Sequence, residues 1–565
     1  MSAVADLVAS VLAAADAAAP GTVAIRYGRR RLSYAQLAER VRAGADGLTR
    51  LGLAPGDRVL FTVRPGPDAV VLALAIVHAG GTVVFADPGS GAALFAARAS
   101  LAAPRWVAAE SLLHLASTRP LRRLARSRGL DLPPYSSIVP EARHLRAGPW
   151  LPGTPRRAVG LRSLFAGKAG LGTRPGPAAS GTDAAHDAAR PASGAGAGTA
   201  GGREGDEALV VFTSGTTGTP KAVVHTRGSL GNGLGDFAVG LGLAAGENVL
   251  TDQLMVGIPA LIAGSTWTFP PHGTQPGAPS EAYLKLLDGA DLLFTPPATM
   301  DALLRLLEAR PRPGTQRVRT IALGGAPVLR PLVARIHARF PNAQIRTIYG
   351  MTEVLPVAIG DGLAKLGQAP DPDGGDEAGV VVPSVAARVE DGELILSGPG
   401  LARGYLAELP EHPLTEHRTG DLVRLDGNRL TLLGRKKDMF IRGTQNVYPG
   451  LYEPLVAGLP GVADAVLTGV PDEIGDDRLV LVVIPEDDPP GGLAAGHPLT
   501  AAVAAALPGL MDAGALPDLV LATHTWPRAG RQHKLDRRAL AVQVAGWAAA
   551  HPGVLPGDAA PGRAS

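Results

Sequence analysis

The segment Thr213 Ser214 Gly215 Thr216 Thr217 Gly218 Thr219 Pro220 Lys221 constrains this chain more than any other stretch. Glycines let backbone amides approach phosphate oxygens, Ser and Thr hydroxyls add donors, and the closing lysine supplies a mobile point charge. The flanks show what kind of loop this is. Leu209 to Phe212 reads as a strand before it and Ala222 to His225 as a strand after it. A Walker loop needs Gly, four residues and Gly-Lys-Ser/Thr opening a helix, whereas this loop joins two strands. An ordinary hairpin turn is the competing reading, but a plain turn has no need of so many hydroxyls ending in a cation. The pattern points to nucleotide triphosphate chemistry.

The remaining pattern is that of an α/β protein. From Asp291 onward, strand Leu292 to Phe294, helix Ala298 to Leu307, strand Thr320 to Leu323, helix Leu329 to Phe340 and strand Ile345 to Ile348 alternate, as in a parallel sheet. The loops after those strands are Thr295 Pro296 Pro297, Gly324 Gly325 Ala326 Pro327, and Tyr349 Gly350 Met351 Thr352 Glu353. All three are expected at one crevice, because parallel sheets bind ligands beyond their carboxyl ends. Near the N-terminus, Val4, Leu7, Val8, Val11 and Leu12 recur at helical spacing, interrupted by Asp6 and Asp16, and a second helix follows Ser33, its N-cap. Ala69 to Ala86 is apolar but split by Gly80 and Gly81 into helix and strand, so no transmembrane span is expected. Residues 167–205 are rich in Gly, Ala, Pro and Ser and too poor in large apolar side chains to order themselves; they read as a disordered insertion. Beyond Gly434 come Arg435 Lys436 Lys437 and then short strands over Ala463 to Val470 and Leu479 to Ile484. The expected organisation is a large N-terminal α/β domain with parallel-rich sheets over residues 1–434, a smaller mobile C-terminal α+β domain over 435–545, and a tail over 546–565.

Composition narrows the function classes. Lys plus Arg (54) against Asp plus Glu (51) leaves a formal charge of +3 over 565 residues, with no block of like charge, so nucleic acid is not an expected partner. The chain has no cysteine, which excludes disulfides, thiolate catalysis and cysteine metal sites. A reducing cytoplasm fits that composition.

Four ordered motifs resemble those of the acyl-adenylate-forming superfamily, which includes acyl-CoA synthetases, luciferases and peptide-synthetase adenylation domains: TSGTTGTPKAV, YGMTE, TGD at Thr419 to Asp421, and GRKKD at Gly434 to Asp438. The resemblance covers most of the chain and implies two half-reactions with ATP and Mg2+. Thr213, Ser214, Gly215, Thr216, Thr217, Gly218 and Lys221 would hold the phosphates. Tyr349 would stack on adenine, with Gly324, Gly325, Ala326 and Gly350 along the base. Thr352 would donate to the α-phosphate and Glu353 would hold Mg2+ as a hard oxygen ligand; a carboxylate at a helix N-terminus is the structural alternative for Glu353. Asp421 would accept the ribose hydroxyls, Arg435 would touch the ribose, and Lys437 would be the hinge of the mobile domain. PRAGRQHKLDRRAL, Pro527 to Leu540, resembles the family's catalytic-lysine segment. It implies that Lys534 bridges the acyl carboxylate and the α-phosphate. His533 replaces the usual Gly there and the spacing from Pro527 is one residue longer, which keeps Arg531 as the alternative cation.

Two departures from the family pattern stand out, and the second bears on the acid. Lys221 Ala222 replaces the usual Lys-Gly, and DQLMVGIPALIAG, Asp252 to Gly264, lacks the aromatic-His pair of fatty acyl-CoA synthetases. Within the superfamily, YGMTEVLPV with Pro104 Arg105, His114 Leu115 and the His-Lys C-terminal segment is most similar to β-lactone synthetases of olefin and lactone pathways. That similarity implies a long-chain 3-hydroxy acid whose own hydroxyl displaces AMP, with His533 a candidate base. Acyl-CoA ligation, loading of a carrier protein, and a catalytically silent AMP/ATP-binding protein are the alternatives. The acid, the acceptor and the oligomeric state stay open at this level.

Overall fold

The computed structural model describes residues 6–88, 92–127, 138–166, 203–213, 221–270, 281–310, 317–367, 375–436, 440–442, 445–447, 449–471, 477–511, 515–529, 534–551 and 553–554. The chain divides into two compact units, Met1–His272 with Pro399–Thr415, and Gly273–Gly398 with Glu416–Ser565.

The first unit opens with the helix Leu7–Ala17. The sequence pattern begins this helix before Asp6; instead Asp6 caps it, accepting from Ala9 N at 2.8 Å. The same carboxylate meets the Arg227 guanidinium, Nε at 2.5 Å, where the arginine side chain is only 4% exposed. Ser33 caps the helix Tyr34–Arg50 as expected, with Gln36 closing the reciprocal capping box. Leu37, Val41, Ala45 and Leu48 form its buried face. The apolar stretch that follows is the helix Pro67–His78 and the strand Thr82–Phe85, turned apart at Gly80 with φ +86.

One sheet of this unit runs, in spatial order, Gly404–Tyr405, Lys221–Thr226, Glu207–Thr213, Thr82–Phe85, Arg58–Thr62, Trp106–Glu110, Arg143–Ala147, Val159–Gly160. The first two strands are antiparallel to their neighbours and the others pair in parallel. Leu60, Val84, Val107, Val210 and Val224 from successive strands pack with Phe95 in its core. Of the expected insertion, residues 167–202 lie outside the described residues. Its last three form an ordered turn, with Asp206 N on Arg203 O and Gly228 N on Glu204 O, both at 2.9 Å. A second group of strands, Asn248–Leu250, Thr266–Phe269, Val23–Tyr27 and Arg30–Ser33, buries Trp267. Its indole packs on Gly257 of the helix Leu254–Ile262 so closely that a Cβ there would lie 1.9 Å from it.

The second unit carries the expected alternation: parallel strands Leu292–Thr295, Thr320–Gly324 and Gln344–Tyr349, joined by the helices Pro297–Ala309 and Arg330–Arg339. Antiparallel strands extend this sheet through Ala358–Asp361, Asp376–Val381, Arg429–Arg435, His417–Asp426, Glu393–Ser397 and Ala386–Glu390. The smaller C-terminal α+β domain pairs Val462–Pro471 with Asp477–Pro485, which adds Leu519–Ala522 in parallel. Alternate residues serve its two faces, as strand geometry requires. Leu467, Leu479 and Leu481 pack with Val456 and Val503 on one side. Val466, Val480 and Val482 pack with Trp526, Leu540 and Val544 on the other. This is the large α/β region and small α+β domain that the sequence indicates. No helix among the described residues is long and apolar enough to cross a membrane.

Burial pushes the Asp6 carboxyl up, but the Arg227 hydrogen bond and the helix amides outweigh it and hold the pKa below its usual value. A folded carboxyl so lowered adds stability above its unfolded pKa and loses it as pH falls through the folded one. Asp6→Asn keeps a cap but strands Arg227, and is expected to cost about 3 kcal/mol in denaturant melts at neutral pH. The cost should shrink in acid; an equal cost at pH 7 and at low pH would show that the ion pair is not the cause.

Candidate active site

In the first unit the loop strands pair with Phe212 opposite Ala222 and Thr213 opposite Lys221, so the loop is the connection of an antiparallel hairpin. Ser214, Gly215, Thr216, Thr217 and Gly218 lie outside the described residues, as does the Thr213 side chain. Lys221 is exposed at the head of its strand, with Nζ 4.8 Å from the centre of the Tyr405 ring. Tyr405 sits there because Gly404–Tyr405 pairs with Val224 and Val223, and Leu406 N donates to Ala222 O at 2.8 Å. Sequence reading missed this tyrosine; its signal is an aromatic after Arg-Gly in a chain poor in aromatics.

In the second unit the parallel strands end together. Gly324 lies opposite Ile348 in register, and a Cβ on Gly324 would come within 3.2 Å of that isoleucine's side chain and carbonyl. Gly325 follows with φ +84, in the region glycine favours, and Gly325 and Ala326 are exposed. Buried Lys365 donates to Val328 O at 2.7 Å and pairs with Asp376, tying down the far end of that loop. The next loop leaves Tyr349 through Gly350, where a Cβ would lie 2.6 Å from Leu355. Met351 and Val354 exchange backbone hydrogen bonds at 3.0 and 3.2 Å, and Val357 N returns to Tyr349 O at 2.9 Å. Thr352 and Glu353 are thereby presented, half-buried, on a turn closed by its own backbone. The next helix, Gly362–Gly367, starts well beyond Glu353, so this carboxylate caps no helix.

Asp421 is the electrostatic centre of this unit. It is 2% exposed, and the Tyr349 hydroxyl donates to Oδ2 at 2.5 Å. Arg435 lies opposite it in the adjacent strand, Nε 2.5 Å from Oδ1. That contact lacks hydrogen-bond alignment, leaving Oδ1 a buried acceptor without a hydrogen-bond donor. Burial first, and then the Asp421 charge, push the Tyr349 phenol well above its ordinary pKa, so the hydroxyl stays a donor at neutral pH. Sequence reading brought Tyr349, Asp421 and Arg435 to one nucleoside, and the structure brings them together.

The Thr-Gly-Asp segment is no isolated turn. Glu393 pairs with Leu422 and Ile395 with Arg418, so Thr419, Gly420 and Asp421 bulge out opposite Leu394 alone. Gly420 has φ +71. Thr419 Oγ1 donates to Leu394 O at 2.9 Å and accepts from Asp421 N at 3.0 Å. Glu393, buried, accepts from Gly420 N at 3.0 Å. Sequence reading missed Glu393 too, although a charge at the head of the apolar strand Glu393–Ser397 was a visible signal.

Of the basic stretch, Lys436 is exposed, its Nζ 3.6 Å from Glu393, and Lys437 lies outside the described residues. Lys534 heads the strand Lys534–Leu535, paired opposite Ala529; its side chain, Arg531 and His533 lie outside the described residues. The hairpin is anchored by Trp526, whose Nε1 donates to Asp464 at 2.6 Å, and by Asp536, which caps the helix Arg537–Ala550. Among the described residues no cluster of three His, Asp or Glu could hold a metal. Mg2+ needs no such cage, because one or two carboxylates with substrate phosphates and water complete its octahedron. The Glu353 carboxylate, half-buried on its turn, fits that requirement.

The chain belongs to the AMP-binding enzyme family, whose profile matches residues 12–406. It is an ATP-dependent enzyme of the acyl-adenylate-forming class. It is 29% identical over 497 residues to feruloyl-CoA synthase of an Amycolatopsis species, covering 83% of this chain and 86% of that one. It is 28% identical over 507 residues to olefin beta-lactone synthetase of Stenotrophomonas maltophilia, covering 80% and 83%. ATP-bound MatB from Rhodopseudomonas palustris has the same fold, with a TM-score of 0.69 and 22% identity over 95% of this chain and 99% of that one.

Tyr349→Phe removes the one neutral donor on the buried Asp421 carboxylate among the described residues. Folding stability is expected to fall by about 1.5 to 3 kcal/mol, read from the denaturant midpoint at constant m-value. An unshifted midpoint would mean that solvent reaches Asp421.

Proposed function

We propose that this enzyme activates a carboxylic acid with ATP and passes the acyl group to CoA, giving an acyl-CoA thioester. In the first half-reaction a carboxylate oxygen attacks the α-phosphorus, the bond to the β-phosphate oxygen breaks, and acyl-AMP and pyrophosphate result. In the second, the CoA sulfur forms a bond to the acyl carbon, the acyl–oxygen bond breaks, AMP leaves, and the thiol proton passes to solvent or a base. The observation that carries the nucleotide half is the Asp421 carboxylate held between Tyr349 and Arg435 with an acceptor position to spare. Similarity to feruloyl-CoA synthase over most of both chains supports CoA as acceptor.

In this reading Tyr349 offers its ring to adenine, and Gly324, Gly325, Ala326 and Gly350 keep the base's edge free of side chains. Asp421 and Arg435 take the ribose. Thr213, Ser214, Gly215, Thr216, Thr217, Gly218 and Lys221 take the β- and γ-phosphates, and Thr352 donates to the α-phosphate. Glu353 would hold Mg2+, which when bound neutralises triphosphate charge. Lys534 stabilises the charge spread over carboxylate and α-phosphate, with Arg531 as its alternate. Lys437 is the hinge on which the C-terminal domain turns between half-reactions.

The second reading keeps the adenylate and replaces CoA with the substrate's own 3-hydroxyl, which forms a β-lactone and releases AMP. Its support is the 28% identity to olefin beta-lactone synthetase and the YGMTEVLPV segment. An intramolecular hydroxyl already near the carbonyl has a large effective concentration.

Lys534→Ala is expected to slow acyl-AMP formation by about 100-fold; an unchanged rate would move the role to Arg531. Glu353→Gln should raise the Mg2+ concentration for half-maximal rate while leaving the melting temperature in place. Mass analysis of products from ATP with aromatic acids and long-chain 3-hydroxy acids, with and without CoA, separates the acceptors. Thioesters formed only with CoA are the expected result, and lactone with AMP in its absence would establish the second reading.

A further inference from the structure

We propose that Glu393 is a positioning residue for nucleotide recognition: it seals the bulge that carries Asp421 and so aims that carboxylate at the ribose. The inference rests on the reading that Asp421 binds the ribose diol, and it adds a residue that touches no substrate atom. Three residues, Thr419 to Asp421, stand opposite one, Leu394, in an otherwise paired antiparallel ladder. A bulge of this kind leaves backbone groups without ladder partners and re-aims a side chain. Here three of these groups have a specific partner. The Leu394 carbonyl is taken by the Thr419 hydroxyl at 2.9 Å, and Asp421 N by the same hydroxyl at 3.0 Å. Gly420 N is taken by Glu393 Oε1 at 3.0 Å.

The last bond is the demanding one. Gly420 sits at φ +71, a conformation glycine favours, and its amide finds its partner in a side chain, Glu393. Glu393 is 5% exposed, and a buried carboxylate needs its second oxygen satisfied as well. Oε2 has Arg418 Nη2 at 3.4 Å and Lys436 Nζ at 3.6 Å. One oxygen therefore fixes the bulge, while the other is neutralised by Arg418 on the strand of Asp421 and by Lys436, just past the strand of Arg435. Without the Glu393 acceptor the Gly420 amide would lose its side-chain partner, and the bulge would relax by rotating the neighbouring Asp421 away from Tyr349 and Arg435.

The readout is discrimination between ATP and 2′-deoxy-ATP, measured as the ratio of kcat/KM values for acyl-AMP formation. A merely structural residue would lower both values together, whereas a residue aiming Asp421 lowers the ratio. Asp421→Asn sets the reference. Glu393→Met, similar in size but lacking an acceptor, should lower the ratio by about tenfold, close to the Asp421→Asn level. Glu393→Gln keeps an acceptor for Gly420 N and should restore the ratio to within about twofold of the unmodified enzyme. Should Glu393→Met fail to fold, Glu393→Asp, whose carboxylate is drawn back by one methylene, is expected to show the same fall. A folded Met or Asp variant with an unchanged ratio overturns the inference, as does a Gln variant that falls as far as Met. If Asp421→Asn itself leaves the ratio unchanged, the ribose assignment fails, and this inference with it.

Discussion

A carboxylate that is almost wholly removed from water organises the second unit of this protein. A phenol faces one of the Asp421 oxygens and a guanidinium the other, the pairing that a buried carboxylate needs. Each partner comes from a different strand: Tyr349 from the end of a parallel strand, Arg435 from the antiparallel strand beside Asp421 itself. Satisfying one buried charge thus fixes where the Tyr349 ring, the Asp421 carboxylate and the start of the C-terminal segment stand within the unit. The arrangement also leaves one oxygen able to accept a further hydrogen bond, the feature a diol-bearing ligand requires.

Strand geometry supplies the rest of this half-site. Three parallel strands end at one edge, and the residues just past that edge are small or sharply turned because neighbouring side chains leave no room for more. Gly324 is confined by Ile348 and Gly350 by Leu355. In the first unit the equivalent device is a hairpin whose loop is closed by Thr213 opposite Lys221. The aromatic ring beside Lys221 offers a favourable surface to its ammonium group.

Much of this was legible in the sequence because it depends on periodicity. The β/α alternation from Leu292 to Tyr349, the Ser33 cap and the two strands of the C-terminal domain are each read from apolar spacing and local turn chemistry, and each stands in the structure within a residue or two. What escaped depends on partners distant in the chain. Asp6 looked like an interruption of a helix, but its partner Arg227 is 221 residues away, and with that partner it becomes a cap. The bulge that carries Thr-Gly-Asp can be seen only when the opposing strand is known. Glu393 and Tyr405 were missed for the same reason: their importance lies in Gly420 and Lys221, which no local pattern connects to them. The helix-capping alternative for Glu353 was open in the sequence and closes once the loop is seen to run on without a helix.

The relatives also redistribute weight between acceptors. Motif detail near YGMTE favoured an internal hydroxyl, whereas extended similarity to a CoA synthase favours a thiol. Both reactions share the acyl-adenylate, so that intermediate is the chemistry on which either depends. Exchange of labelled pyrophosphate into ATP isolates it, because the exchange needs reversible adenylation and no acceptor. Exchange that requires a carboxylic acid, proceeds without CoA and is lost in Asp421→Asn is the expected result. Tight ATP binding with no exchange, across aromatic and long-chain 3-hydroxy acids alike, would contradict it and mark the nucleotide site as one that binds without reacting.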